Sequence, residues 1–271
     1  MAASSLSTVK LHAGISRLQS VWSAIKVRTE KGADPWSPRM RPGRNYVALY
    51  WTAGGRGKPG INANIQDPAE ATRMIADPDF EVLGTNADSS CTAFNAEGGV
   101  TLTTKTTSGD QVILCPHLDS NQSAWSAWTW GTDRCVEWEA YFAAPATITS
   151  MVVWAGLKLT NTSVVATDND QVFIRYEAGV NSGKWQVISS IGGTDTTTNT
   201  GLTFTASAAY KVTISIDTAR VARIYINDEL MYTTAALTDA TDLIPYIGVQ
   251  TATTAARAIT VYGAQIQRKV V

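Results

Sequence analysis

An all-β chain, built as an antiparallel jelly-roll sandwich behind an extended N-terminal arm with one or two short helices, is what three features of this sequence predict. From Phe80 onward, strand-like runs follow one another with no helical period between them. Turn material such as SGD, NTS, NSGK, GGTD, DTAR and IND separates those runs. The charge divides as well. Residues 1–66 carry ten Lys/Arg against two Asp/Glu, and residues 67–271 carry twelve against twenty-one, giving +8 and −9. Two segments of opposite sign suggest two jobs, with the basic one addressed to an acidic surface.

Taken in order, Leu11, Ile15, Leu18, Trp22 and Ile25 recur at spacings of 4, 3, 4 and 3, the seam of an amphipathic helix. Residues 31–64 then read KGADPWSPRMRPGRNYVALYWTAGGRGKPGINAN, where frequent proline and glycine oppose long regular elements. Arg39, Arg41, Arg44 and Arg56 alternate there with Trp36, Tyr46, Tyr50 and Trp51. A segment that cannot bury itself yet carries large aromatic anchors suits an arm that orders on a partner. Asp67-Pro68-Ala69-Glu70 has the cap, first-turn proline and third-position glutamate of a short helix running to about Ala76. The expected division is therefore an arm over 1–79 and a sandwich over 80–271.

The sandwich segment contributes GVTLTTK, QVILC, CVEWEAYF, TITSMVVW, QVFIRYEA, KWQVISS, YKVTISID, RVARIYIN, LIPYIGVQ and AITVYGAQIQ. Such a series without intervening helices argues for two packed antiparallel sheets. In CVEWEAYF, Val136, Trp138, Ala140 and Phe142 fall on one face, with Glu137, Glu139 and Tyr141 on the other. The first set is expected in the core and the acids in solvent.

Chemistry-bearing motifs are sparse. Glu137 and Glu139 on one strand face would stand about 7 Å apart, a spacing that glycoside hydrolysis can use. Jelly-roll hydrolases of the laminarinase type read E-x-D-x-E, and Tyr141 stands where their third acid would be. Trp125, Trp128 and Trp130 form a WSAWTW stretch that serves either as a sugar platform or as an intersubunit contact. Asp168-Asn169-Asp170 lacks the glycine and distal glutamate of a calcium loop and reads as a polar turn. Cys91, Cys115 and Cys135 show no zinc spacing and read as reduced, small core residues. GxSxG, HExxH and GxxxxGK[ST] do not occur. No metal, cofactor or catalytic residue is therefore expected. The arm's charges are scattered singly, which favours a protein partner over nucleic acid.

The body, from EVLGTNADSSCTAFNAEGGVTLTTKTTSGDQVILCPHLD through SAWTWGTDRCVEWEAYF, VVWAGLKLTNT, ATDNDQVFIRYE and DLIPYIGVQ, resembles jelly-roll domains of tailed-bacteriophage structural modules. These are related in shape to the concanavalin and laminin-G sandwich. The resemblance covers about residues 80–271 and implies a non-enzymatic virion component. The expected role is a capsid decoration or cement protein, made in the host cytoplasm and placed on the capsid surface. Its expected partners are the major capsid protein, bound through the arm, and further copies of itself, as a trimer. The alternative is a glycan-binding adhesin or head- or tail-fibre domain that meets a host-surface glycan. No membrane association is expected, because no run is long enough to span a bilayer.

Overall fold

The computed structural model describes residues 46–52, 58–61, 76–95, 99–116, 129–165 and 168–269, with side chains from Phe80 onward. Strands are numbered in chain order. The first sheet runs β14 (Glu229–Ala236), β13 (Val221–Ile226), β12 (Ala209–Ile216), β7 (Glu137–Ala143), β16 (Ala258–Lys269), β5 (Val100–Thr103) and β4 (Thr92–Phe94). Strand β1 (Tyr46–Thr52) also pairs with β16. The second sheet runs β11 (Thr194–Thr203), β10 (Lys184–Ile191), β9 (Gln171–Glu177), β8 (Met151–Lys158), β15 (Ile244–Thr251), β6 (Gln111–Pro116), β3 (Ala76–Leu83) and β2 (Lys58–Ile61). Among the described strands every pairing is antiparallel except β2 with β3. The chain is the antiparallel jelly-roll sandwich that its alternating runs predict.

The core lies between the sheets and is fed by alternate residues of each strand. Trp138, Ala140 and Phe142 on β7 meet Val212 and Ile214 on β12 and Val153, Ala155 and Ile174 from the opposite sheet, all buried. Val136, just before β7, joins them. Toward the β10 side the filling is aromatic. Trp185 stands edge-on to Phe204 at 4.8 Å and to Tyr210 at 5.4 Å, and Tyr176 lies 4.2 Å from Phe204. The Tyr210 hydroxyl accepts from Thr205 N at 2.6 Å, so the ring's polar end is satisfied inside the cluster.

Turn chemistry sets the register. Ile191 pairs with Thr194 across Gly192-Gly193, both at positive φ, and Ile226 pairs with Glu229 across Asn227-Asp228, at φ 52° and 68°. These are the two-residue hairpins whose twist matches that of paired strands. Strand β16 is unusual in reach. Its first half pairs with β5 and its second half with β1 on the same flank, while β7 runs along the other flank.

The second sheet carries an apolar cluster on its outer face too, beside the buried Lys158 and Gln171. Ile113, Cys115, Val152, Trp154, Phe173, Ile188 and Tyr246 form a separate buried cluster there. Trp154 pairs with Gly248 on β15, and a Cβ at that glycine would stand 2.2 Å from Trp154 Cζ2. The indole lies in the space that the missing side chain leaves.

The division expected at residue 80 falls inside β3, and the segment assigned to the arm supplies β1, β2 and the start of β3. The helix expected from Asp67 meets β3 at Ala76; its earlier residues, like the helix expected over Leu11–Ile25, lie outside the described residues. Cys91 and Cys115 are buried and Cys135 is half-buried, and none forms a disulfide.

Gly248→Ala is expected to destabilise the protein by about 1–3 kcal/mol through overpacking. Much of that cost should disappear in a Trp154→Ala background, because the two residues share one space. Denaturant unfolding of the two single variants and the double variant measures both values.

Candidate functional site

The outer face of the first sheet is built differently from that of the second. Because β7 turns Trp138 and Phe142 inward, Glu137, Glu139 and Tyr141 must point out. Register then sets their neighbours. Glu139 stands between Thr213 on β12 and Gln265 on β16, and Glu137 stands between Ser215 and Gln267. Tyr141 stands between Lys211 and Gly263. Two strands further out, Tyr225 lies beside Thr213 and Arg223 beside Ser215. The result is a set of rows, running across the strands, of carboxylates, amides, hydroxyls and tyrosines.

These groups are wired together. Thr213 Oγ1 donates to Glu139 Oε2 at 3.2 Å and Gln265 Nε2 donates to Glu139 Oε1 at 3.3 Å. Lys211 Nζ lies 3.7 Å from Glu139 Oε2 and also pairs with Asp228 at the β13–β14 turn. Gln267 Nε2 donates to Glu137 Oε2 at 3.1 Å. Glu139 is only 2% exposed, and Lys211, Thr213, Gln265 and Gln267 are buried as well. The acids of VEWEAYF were expected in solvent. Glu139 is instead withdrawn from water and held by hydrogen bonds, as a buried carboxylate must be.

A shift in register on β16 between Val261 and Gly263 turns Tyr262 toward the same side as Tyr141. Their rings lie 5.3 Å apart, tilted by 44°, and both are partly exposed. Gly263 puts no side chain opposite Tyr141, and Glu139, Ala140, Tyr141, Gly263, Ala264 and Gln265 line a shallow depression there. A partly exposed aromatic pair resting on a buried polar network is an arrangement that can receive a flat apolar face, such as the C–H side of a sugar ring, by stacking. Sequence reasoning found Glu137, Glu139 and Tyr141. It missed Tyr262, Lys211, Gln265 and Gln267, whose only signal is a polar residue at alternate positions of distant strands.

The tryptophan stretch is placed only in part. Trp130 is 1% exposed, sits in the core between the sheets and presents no face to a sugar. Trp125 and Trp128 lie outside the described residues, as do Trp36, Arg39, Arg41, Arg44 and Arg56. Tyr46, Tyr50 and Trp51 fall in β1, opposite Lys269, Gln265 and Ala264 of β16. These three expected anchors therefore belong to a strand of the first sheet.

Asp168 and Asp170 do the work of a polar turn. Asp168 Oδ2 accepts from the backbone N–H of Leu159 at 2.9 Å and of Thr160 at 3.2 Å, and lies 3.8 Å from the buried Lys158 ammonium. Asp170 accepts from the N–H groups of Gly192, Thr238 and Asp239. Burial holds Lys158 at a pKa of about 8, with Asp168 opposing that fall. Among the described residues, no three His, Cys, Asp or Glu side chains stand close enough together to hold a metal ion.

Comparison by sequence finds no matching protein-family model and no matching curated protein. Solved structures do share the fold. A protein of unknown function from Shewanella oneidensis MR-1 is 11% identical with a TM-score of 0.51, over 84% of this chain and 88% of that one. The Crh5 transglycosylase is 12% identical with a TM-score of 0.50, over 82% and 84%. A Bacillus licheniformis β-glucanase is 10% identical with a TM-score of 0.47, over 88% and 97%. At such identities the likeness is one of fold. It corrects the expectation of a chain that is not an enzyme, because a transglycosylase adopts the same sandwich and the architecture gives no ground for excluding catalysis.

Glu139→Ala is expected to cost about 3 kcal/mol, since it leaves Lys211, Gln265 and Thr213 with an unmatched buried site. Glu137→Ala, at a half-buried position, should cost no more than about 1 kcal/mol. Thermal denaturation of the two variants side by side tests that order.

Proposed function

We propose that this chain is a glycan-binding jelly-roll protein of a virion surface, with the outer face of the first sheet as its binding face. The observation that carries the reading is the contrast between the two outer faces. One buries Ile113, Trp154, Phe173 and Tyr246 in a closed cluster beside the buried Lys158 and Gln171. The other leaves Tyr141 and Tyr262 partly exposed beside the half-buried Glu137, over a buried network of Glu139, Gln265 and Gln267. Tyrosine faces match the C–H side of a sugar, the Glu137 carboxylate can accept from its hydroxyls, and the network beneath holds the platform in place. The virion setting rests on the resemblance of the strand texts to bacteriophage structural modules. A glycan array followed by calorimetry on the best neutral oligosaccharide is the test. Tyr141→Ala and Tyr262→Ala should each weaken binding at least about tenfold, or about 1.4 kcal/mol. Leu159→Ser, at an exposed position just past β8, should leave it unchanged. An intact protein that binds no glycan defeats the reading.

A second reading, capsid decoration through the arm, is favoured by the +8 charge of residues 1–66 against the −9 of the remainder. Arg39, Arg41 and Arg44 would pair with capsid carboxylates, with Trp36 beside them as an aromatic anchor. Changing the three arginines to glutamate in the full chain is expected to abolish co-sedimentation with particles. Co-sedimentation that survives the change rules out this mode of attachment.

A further inference from the structure

Four strands end the paths of the two sheets, and three of them carry a device that blunts an open edge. Strand β4 is three residues long. Strand β2 is four residues long and contains Lys58 and Pro59. Strand β14 is interrupted twice in its register with β13 and begins at Glu229. Strand β11 has none of these features. It is ten residues long, with the text TDTTTNTGLT, and contains no lysine, arginine or proline. From Thr194 to Asn199 it pairs with Ile191 to Gln186 residue for residue, with no shift, so this part is regular. Most of its side chains are exposed. Its one charged side chain, Asp195, accepts a hydrogen bond from Ser190 of its own sheet and is not turned into a repulsive guard.

A regular, exposed edge with a single charge is a template for another strand. We infer that β11 is the contact between two copies of this chain, paired antiparallel about a two-fold axis at Thr197. The text is self-complementary in that register. Thr197 of one copy faces Thr197 of the other, Thr196 faces Thr198, Asp195 faces Asn199, and Thr194 faces Thr200. No like charges meet. The two Asp195 carboxylates lie on opposite sides of the axis, four residues apart along the strand, or about 13 Å. Opposed threonines are favourable cross-strand pairs. The second sheets of the two copies then join into one continuous sheet. Because the contact is isologous, it closes at two copies and builds neither a ring of three nor a filament.

The contact is one strand wide, so the dimer should be concentration-dependent. Analytical ultracentrifugation of the full chain is expected to show monomer passing to dimer below about millimolar concentration. Thr197→Lys with Thr198→Lys should give a monomer at every concentration, with an unchanged Tm. In a Cys135→Ser background, Thr196→Cys with Thr198→Cys should yield a covalent dimer on mild oxidation. A chain that stays monomeric up to about millimolar, a trimer, or any oligomer that survives the two lysines overturns the inference.

Discussion

Strand β7 serves two layers at once, and the rest of the first sheet depends on that constraint. Trp138 and Phe142 are locked between the sheets, at 1% and 0% exposure. With alternate side chains fixed inward, Glu137, Glu139 and Tyr141 have no freedom over which way they point. The hydrogen bonds to Gln265, Gln267 and Thr213 fix how they point. A slip of one residue would bury both carboxylates in the aromatic core and is excluded on energetic grounds. The same packing that stabilises the sandwich therefore orders the polar face. A polar face ordered in this way has little side-chain conformational entropy left to lose.

Much of this was legible in the text of the chain. The alternation in CVEWEAYF located β7 and its inward set correctly, and GGTD and IND marked hairpin turns that the structure closes with two residues each. Asp168 and Asp170 read as turn residues, and they accept backbone N–H groups from three separate segments. The outward partners of Glu139 could not be read, because Thr213 is 74 and Gln265 is 126 positions away along the chain. Nothing local in VEWEAYF says that its polar side will be enclosed. Trp130 misled for a related reason. Trp130 looks the same in sequence as a surface aromatic, and only the closing of the two sheets decides that it lies inside. The segment before Phe80 misled differently. Its prolines and glycines argue against long elements, yet strands of four to eight residues fit between them once a sheet edge is there to receive them.

The two outer faces also show how one fold can hold two kinds of surface. MVVWAGLK is apolar at every position but its last and buried throughout, the pattern of a strand covered on both sides, and the first four residues of QVFIRYE are buried in succession as well. EWEAYFA and AYKVTISI alternate instead. Glycine makes the double covering workable. Gly248 accommodates the Trp154 indole, and a Cβ at Gly156 would stand 2.4 Å from Phe173 Cα. Large rings can then lie low on the second sheet without forcing its strands apart.

The position of β16 has a consequence in time as well as in space. This strand follows every other described strand in the chain, yet it runs between β7 on one flank and β5 and β1 on the other. The first sheet therefore cannot close as the chain emerges. Strands β12 to β14 can collect on one flank of β7, while β1 and the β4–β5 hairpin must wait for a partner more than a hundred and fifty residues downstream. Such long-range closure is slow and leaves strand edges open in the meantime. During synthesis the nascent chain is a half-sheet, and its last strand works as the bolt that turns two fragments into one sandwich.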